Sequence, residues 1–318
     1  MISKNFSIGK KTVENSDVFT VKAPFPYSLE DTLECGQCFR HEIVKKESGY
    51  VEYIVPIGNI LARVGQFERG EVIFFDTDEV TLTEVLIPYF SLDTDYGMIK
   101  ADIVSRTDSE WLKCAADAAE GIAILRQDPW QTLFSFIISQ NNNIPRIRKI
   151  VREICAEYGV NISLQNNATK CPIGVVNATP CEEICKKCGK CYTFPNPDQI
   201  IDDPEKMLPS HPGFRYKYLY DAALKVCSGE VVLGDITKAK SYEVTVSELK
   251  KIKGVGDKVA ACTALFGFEN LEAFPIDVWM KRAIDTYFDG KLDVEALGPY
   301  AGIAQQYIFH YIRNIEGK

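Results

Sequence analysis

A chain of 318 residues is long enough to bury a sizeable core and to divide it between two domains of ordinary size. Its composition, 46% apolar and 25% charged, is that of a soluble globular protein, and no run approaches the roughly 20 apolar residues of a membrane span. The formal charge of −8 argues mildly against a nucleic-acid partner if the charge is spread evenly, and it is not.

Acidic stretches such as FDTDEVTLTE (75–84) fall early, whereas RIRKIVR (146–152) and KKIKGVGDK (250–258) are basic clusters whose local field attracts phosphate. The N-terminal MISKNFSIGKK has no apolar core of a secretion signal, so the expected compartment is the cytosol or an equally reducing one. The 11 cysteines agree, because an odd number with five crowded between Cys171 and Cys191 does not suit a secreted disulfide framework.

From about residue 18 to 76 short β-branched and aromatic runs (QCFRHEIV, YVEYIVP, NILARVG, GEVIFF) alternate with turns, which predicts an antiparallel sheet. From about 79 onward, starting with VTLTEVLIPYF, the period is helical almost to the end. Asp128 and Pro129 read as an N-cap and first helical residue, and the apolar run after them predicts a buried central helix. The next helix starts near Pro145, with Ile147, Ile150, Val151 and Ile154 on one side and Arg148, Lys149 and Arg152 on the other, a face that any solvated helix can also show. Residues 166–199 are polar, cysteine-dense and closed by prolines, which suggests an insertion.

The stretch IKGVGDKVA (252–260) joins two helices by a very short turn, for which Gly254 and Gly256 are expected to supply backbone angles that side chains forbid. Such a turn leaves amides of the second helix outward-facing, and with the positive end of the helix dipole they form an anion site for a DNA phosphate. Lys250, Lys251 and Lys253 add positive charge around it. This is a helix-hairpin-helix pattern. In FPIDVW, Pro275 sets up a turn and Asp277 stands where a helix N-cap belongs. Lys258 and Asp277 thus both lie at helix starts. An amine held there among other lysines is disfavoured as a cation. The neutral form is a nucleophile, and a nearby carboxylate steadies positive charge on a sugar.

Six stretches taken in order, LECGQCFRH (33–41), ILRQDPWQTLFSFIISQNNNIPRI (124–147), PGFRYKY (212–218), IKGVGDKVAAC (252–262), FPIDVW (274–279) and GPYAGIAQQYIF (298–309), resemble the 8-oxoguanine DNA glycosylases of the helix-hairpin-helix superfamily. The resemblance covers most of the chain. It implies an α+β fold: a small N-terminal antiparallel, TBP-like sheet domain (1–120) packed on an all-α helix-hairpin-helix domain (121–318) that carries the insertion. It further implies a bifunctional glycosylase and AP lyase that flips 8-oxoguanine, opposite cytosine, out of duplex DNA.

By the same resemblance Lys258 is the nucleophile at C1′ and Asp277 its essential partner. The Gly36 carbonyl faces N7 of the lesion, where 8-oxoguanine has an N–H and guanine a lone pair. Cys262 and Phe309 sandwich the flipped base, and Gln305 reads its pairing edge. Asn141, Arg146 and Arg215 hold the cytosine left behind, and Phe214 wedges into the vacated stack. The implied partner is double-stranded DNA containing oxidised guanine, with no membrane and no catalytic cofactor, and the protein is expected to be a monomer. The expected location is the bacterial cytoplasm at the nucleoid, or the nucleus in a eukaryote.

The pattern departs at Trp279, where well-known members carry a histidine; an indole N–H can still donate to a phosphate. Lys253 replaces a proline common before the first hairpin glycine. The insertion contains Cys181, Cys185, Cys188 and Cys191, whose spacing suits a structural zinc site, with Cys171 as a substitute ligand; free thiols in a loop are the alternative, and an iron–sulfur cluster fits less well. CGQC (35–38) lacks the surroundings of a thioredoxin pair, and His41, His211 and His310 show no ligand spacing. Two other functions remain open at this level: excision of other damaged or alkylated purines, and DNA binding without catalysis, for which Lys258 and Asp277 would be unnecessary.

Overall fold

The structure is a computed structural model that describes residues 6–13, 16–162 and 189–316. The first part contains strands β1 (Ser7–Val13) and β2 (Ser16–Lys22), helix α1 (Leu29–Glu34), and strands β3 (Glu42–Glu47), β4 (Tyr50–Ile57), β5 (Ile60–Gln66) and β6 (Glu71–Phe75). The six strands form one sheet in the order β1-β2-β6-β5-β4-β3, antiparallel throughout. Alternate side chains, among them Val21, Tyr53, Val55, Val64, Val72 and Phe74, point into the main core, while Val18, Ile73 and Phe75 make a small cluster on the other face.

Two parts of the sheet differ from the sequence expectation. It starts at Ser7 rather than near residue 18. β1 is an edge strand, exposed at nearly every position and rich in lysine, so it has no apolar alternation to reveal it. Of QCFRHEIV, only the part from Glu42 onward is strand; residues 37–41 are a loop whose apolar side chains are buried by tertiary contacts.

Helices follow: α2 (Glu79–Thr81), a π-helical segment (Leu82–Leu86), α3 (Ile87–Tyr89), α4 (Tyr96–Ser105), α5 (Glu110–Ala118), α6 (Pro129–Ser139) and α7 (Ile144–Tyr158). After residue 188 come α8 (Pro197–Asp202), α9 (Tyr216–Cys227), α10 (Leu233–Ala239), α11 (Tyr242–Leu249), α12 (Asp257–Gly267), α13 (Val278–Tyr287) and α14 (Ala301–Glu316). Asp128 caps α6 by accepting from Gln131 N at 2.7 Å. Every residue of α6 from Trp130 to Ser139 is buried. Each of Leu133, Phe134, Ile137 and Ile138 contributes about 2 kcal/mol by leaving water, which makes this helix the centre of the molecule.

α12 runs antiparallel beside α6. A Cβ on Gly267 would lie 3.1 Å from Thr132 Cβ and 3.2 Å from Pro129 Cα at one end, and Lys258 reaches Ser139 at the other. Sheet, α1 and helices share one continuous core from Val21 to Ile312. α5, which precedes residue 120, packs on the last helices: Trp111 stacks on Tyr287 at 4.4 Å and meets Tyr311 edge-on at 5.2 Å.

Candidate active site

The hairpin before α12 closes against Tyr218 of α9. Gly254 has φ +80°, and a Cβ there would lie 2.3–2.6 Å from the Tyr218 ring carbons, so any side chain at this position is strained and must displace the ring. Gly256 differs from the expectation. It has φ −99° and ψ −174°, extended backbone open to any residue, and space where a Cβ would be. As N-cap of α12 it offers no side-chain acceptor, so the first-turn amides await an acceptor from outside. Two of the neighbouring lysines are partly neutralised: Lys250 pairs with Asp257 at 2.6 Å and Lys251 with Glu248 at 2.6 Å.

Lys258 is the second residue of α12 and half-buried. Its Nζ lies 3.4 Å from Ser139 Oγ and 5.7 Å from the centre of the Phe136 ring, both on α6. Asp277 caps α13, accepting from Met280 N at 2.8 Å. One turn after Lys258, Cys262 is buried, and burial pushes its thiol up to about 12; the Lys258 charge opposes the shift and Asp277 adds to it. Both groups therefore lie within electrostatic range of one buried thiol.

The site continues to the loop after α1. Phe136 stacks on Phe266 at 5.5 Å and meets Phe39 edge-on at 5.6 Å. Gly36, at φ +87°, presents its Cα side to Ile144 Cδ1 and Phe309 Cε1, at 3.6 and 3.9 Å from a Cβ built there. On α14, Gln305 is buried and its Oε1 accepts from Gln306 Nε2 at 2.6 Å, which fixes the amide plane.

A second group lies around the α6–α7 turn. Asn141 is exposed in the left-handed region at φ +47°, a conformation asparagine adopts more readily than most residues. Arg215 is buried, and burial, with the Arg146 charge second, lowers its pKa. Its Nε donates to Gln140 O at 2.8 Å, and Nη2 donates to Gln140 O and to Asn141 O at 3.0 Å, so it braces this turn. The Phe214 ring, half-exposed, lies 4.5 Å from the Arg215 guanidinium and edge-on to Tyr218 at 5.9 Å, the ring that also receives Gly254. Arg146 is exposed on the first turn of α7, capped by Asn143.

Trp279 lines a cavity of about 540 Å³ between α1, α13 and α14, with Glu34, Cys35, His310 and Arg313. Arg282 lies 5.9 Å from its ring. Sequence reasoning passed over Ser139 and Phe136, hidden in an apolar run, and Arg313, whose guanidinium lies 5.3 Å from the Phe309 ring one turn away. It also passed over Gln37, whose Nε2 donates to Thr32 O and Ala123 O at 2.8 Å while its Oε1 accepts from Leu125 N. Cys171, Cys181, Cys185 and Cys188 lie outside the described residues; Cys191 is buried, and no cluster of metal-ligating side chains occurs among the described residues.

A family model described as the N-terminal domain of 8-oxoguanine DNA glycosylase matches residues 22–133. The N-glycosylase/DNA lyase of Saccharomyces cerevisiae is 25% identical over 305 residues, 87% of this chain and 70% of that protein. The Clostridium acetobutylicum 8-oxoguanine glycosylase/lyase in its apo form superposes with a TM-score of 0.79 at 32% identity, covering 96% of this chain and 99% of the other. The same relative bound to double-stranded DNA with cytosine opposite 8-oxoguanine gives 0.79 at 31% identity over 98% and 99%. With a solved relative this similar along almost its whole length, the chain belongs to the 8-oxoguanine DNA glycosylase family.

Proposed function

We propose that this protein excises 8-oxoguanine opposite cytosine from duplex DNA and then nicks the strand, with Lys258 as nucleophile. The observation that carries the reading is the setting of Lys258: half-buried at the start of α12, on Ser139 and the Phe136 ring, and one turn from the buried Cys262.

The Lys258 amine attacks C1′ of the flipped nucleotide while the C1′–N9 bond breaks, and the base leaves with the bonding pair and takes up the proton that the attacking nitrogen releases. Asp277 is the anion that steadies positive charge on the sugar ring as this bond stretches. The ring then opens to a protonated imine on Lys258. Loss of a C2′ proton sends its electron pair toward the imine and expels the 3′ phosphate, and water releases the enzyme. The flipped purine stacks between Cys262, neutral because burial raises its pKa, and Phe309. The Gly36 carbonyl accepts the N7–H that guanine lacks, and guanine would set two acceptors face to face. The Gln305 amide meets the pairing edge. The open amide end of α12 holds a backbone phosphate, Asn141, Arg146 and Arg215 hold the orphaned cytosine, and Phe214 fills the vacated stack.

Borohydride trapping on duplexes with 8-oxoguanine opposite each normal base tests this. The expected result is a covalent adduct, strongest opposite cytosine and absent in Lys258→Gln. An unchanged adduct in Lys258→Gln would give the nucleophile's role to another residue. Binding of the duplex with no trapping by the unmodified protein would shift the substrate to another damaged base.

A further inference from the structure

The loop that carries Gly36 is held on one side by Gln37 and on the other by a buried polar bridge that the proposed chemistry does not use. Cys38 Sγ lies 3.3 Å from His41 Nδ1, and His41 Nε2 lies 3.1 Å from Glu34 Oε1. Arg148 of α7 donates to Glu34 Oε2 at 3.1 Å and contacts His41 Nε2. Thiol, imidazole and carboxylate in this order look like a nucleophile triad. Burial forbids that chemistry, because it pushes the Cys38 thiol far up and His41 down to about 3, so both are neutral.

What the bridge does fix is position. Gly36 lies between Glu34 and Cys38, and each anchor point of this bridge on the loop is within five residues of it. Arg148 is two residues beyond Arg146 on α7, and Ile144 of the same helix is the side chain nearest to Gly36. The His41 side chain is fully buried, and Glu34 and Arg148, about a third exposed or less, close over it.

We propose that Arg148, through Glu34 and His41, is a positioning residue that sets the aim of the Gly36 carbonyl and so sharpens discrimination between 8-oxoguanine and guanine. This deepens, and rests on, the reading of Gly36 given above. A carbonyl tells an N–H from a lone pair only while it is held at hydrogen-bond distance and in line. A loop free to tilt would relieve the repulsion with guanine and weaken the bond to the lesion.

The test uses the full chain carrying Lys258→Gln, so that no substrate is turned over, and compares affinity for duplexes holding 8-oxoguanine or guanine opposite cytosine. Adding Arg148→Met, or separately Glu34→Gln, is expected to lower the ratio of the two affinities by roughly tenfold. Arg148→Lys restores part of it, and Arg152→Met, one turn along the same helix, leaves it unchanged. A purely structural role would lower the melting temperature without moving the ratio, and a ratio kept within about twofold in both variants would overturn the inference. If the Lys258→Gln chain does not prefer 8-oxoguanine before any bridge residue is changed, the reading of Gly36 itself falls, an outcome visible before the bridge is touched.

Discussion

Two glycines two residues apart do different work in the hairpin. Gly254 has a positive φ and a ring packed where its Cβ would go. Gly256 has ordinary extended angles and open space, so its smallness bears only on what approaches the helix end. Alanine at 254 must both adopt a left-handed conformation and displace Tyr218, a combination expected to cost about 1–3 kcal/mol. Alanine at 256 exchanges one weak N-cap for a poorer one and is expected to cost about 0.5 kcal/mol. Urea denaturation of the two variants measures both. Because Tyr218 also supports Phe214, Gly254→Ala should weaken binding to any duplex, whereas equal and small effects at both positions would show that the turn is not tied to Tyr218.

At the scale of the element, Asp277 is both the cap of α13 and the proposed charge beside Lys258, and the two roles separate by substitution. Asn caps as well as Asp, so Asp277→Asn should fold with nearly unchanged stability yet lose kcat by about 10²–10³-fold. Asp277→Ala should lose the same activity and a further ~1 kcal/mol of stability. Full activity in Asp277→Asn, followed by single-turnover excision, would remove the carboxylate charge from the mechanism. Helix starts of this kind were legible in the sequence because a cap, its proline and the amide it serves lie within a few residues, 128–131 at Asp128 and 275–280 at Asp277. The left-handed Gly254 was legible for the same local reason. What was not legible either lacks an apolar pattern, as in the polar edge strand β1 that pairs with the adjacent β2, or has partners far along the chain, as in the bridge from Arg148 to Glu34 and His41 across more than a hundred positions. Arg215, expected to hold the cytosine opposite the lesion, donates here to the carbonyls of Gln140 and Asn141, partners that PGFRYKY alone does not reveal.

For the whole molecule, a single core ties the sheet to the helices, so a group buried between them reports on global stability. His41 is such a group, enclosed by Cys38 and Glu34 of the loop and α1, Arg148 of α7 and the Tyr53 ring of β4 at 5.7 Å. Burial first, and the Arg148 charge second, lower its pKa from 6.5 to about 3 in the folded state. In the unfolded chain His41 titrates near its ordinary value, so between pH 6.5 and about 3 the unfolded state binds the extra proton. Stability from this group is complete above pH 6.5 and falls as the pH drops through that window. At pH 5 the loss relative to pH 7 is about 2 kcal/mol, from 1.36 kcal/mol per unit over the 1.5 units below the unfolded pKa. Urea denaturation at pH 7 and pH 5 measures it against His41→Asn, a side chain that does not titrate. The variant should be less stable at pH 7, because it leaves the bridge incomplete, but its stability should change less between the two pH values by about 2 kcal/mol. Parallel losses in both proteins would mean that His41 takes up its proton in the folded state, and Glu34 would then have to be its counter-ion.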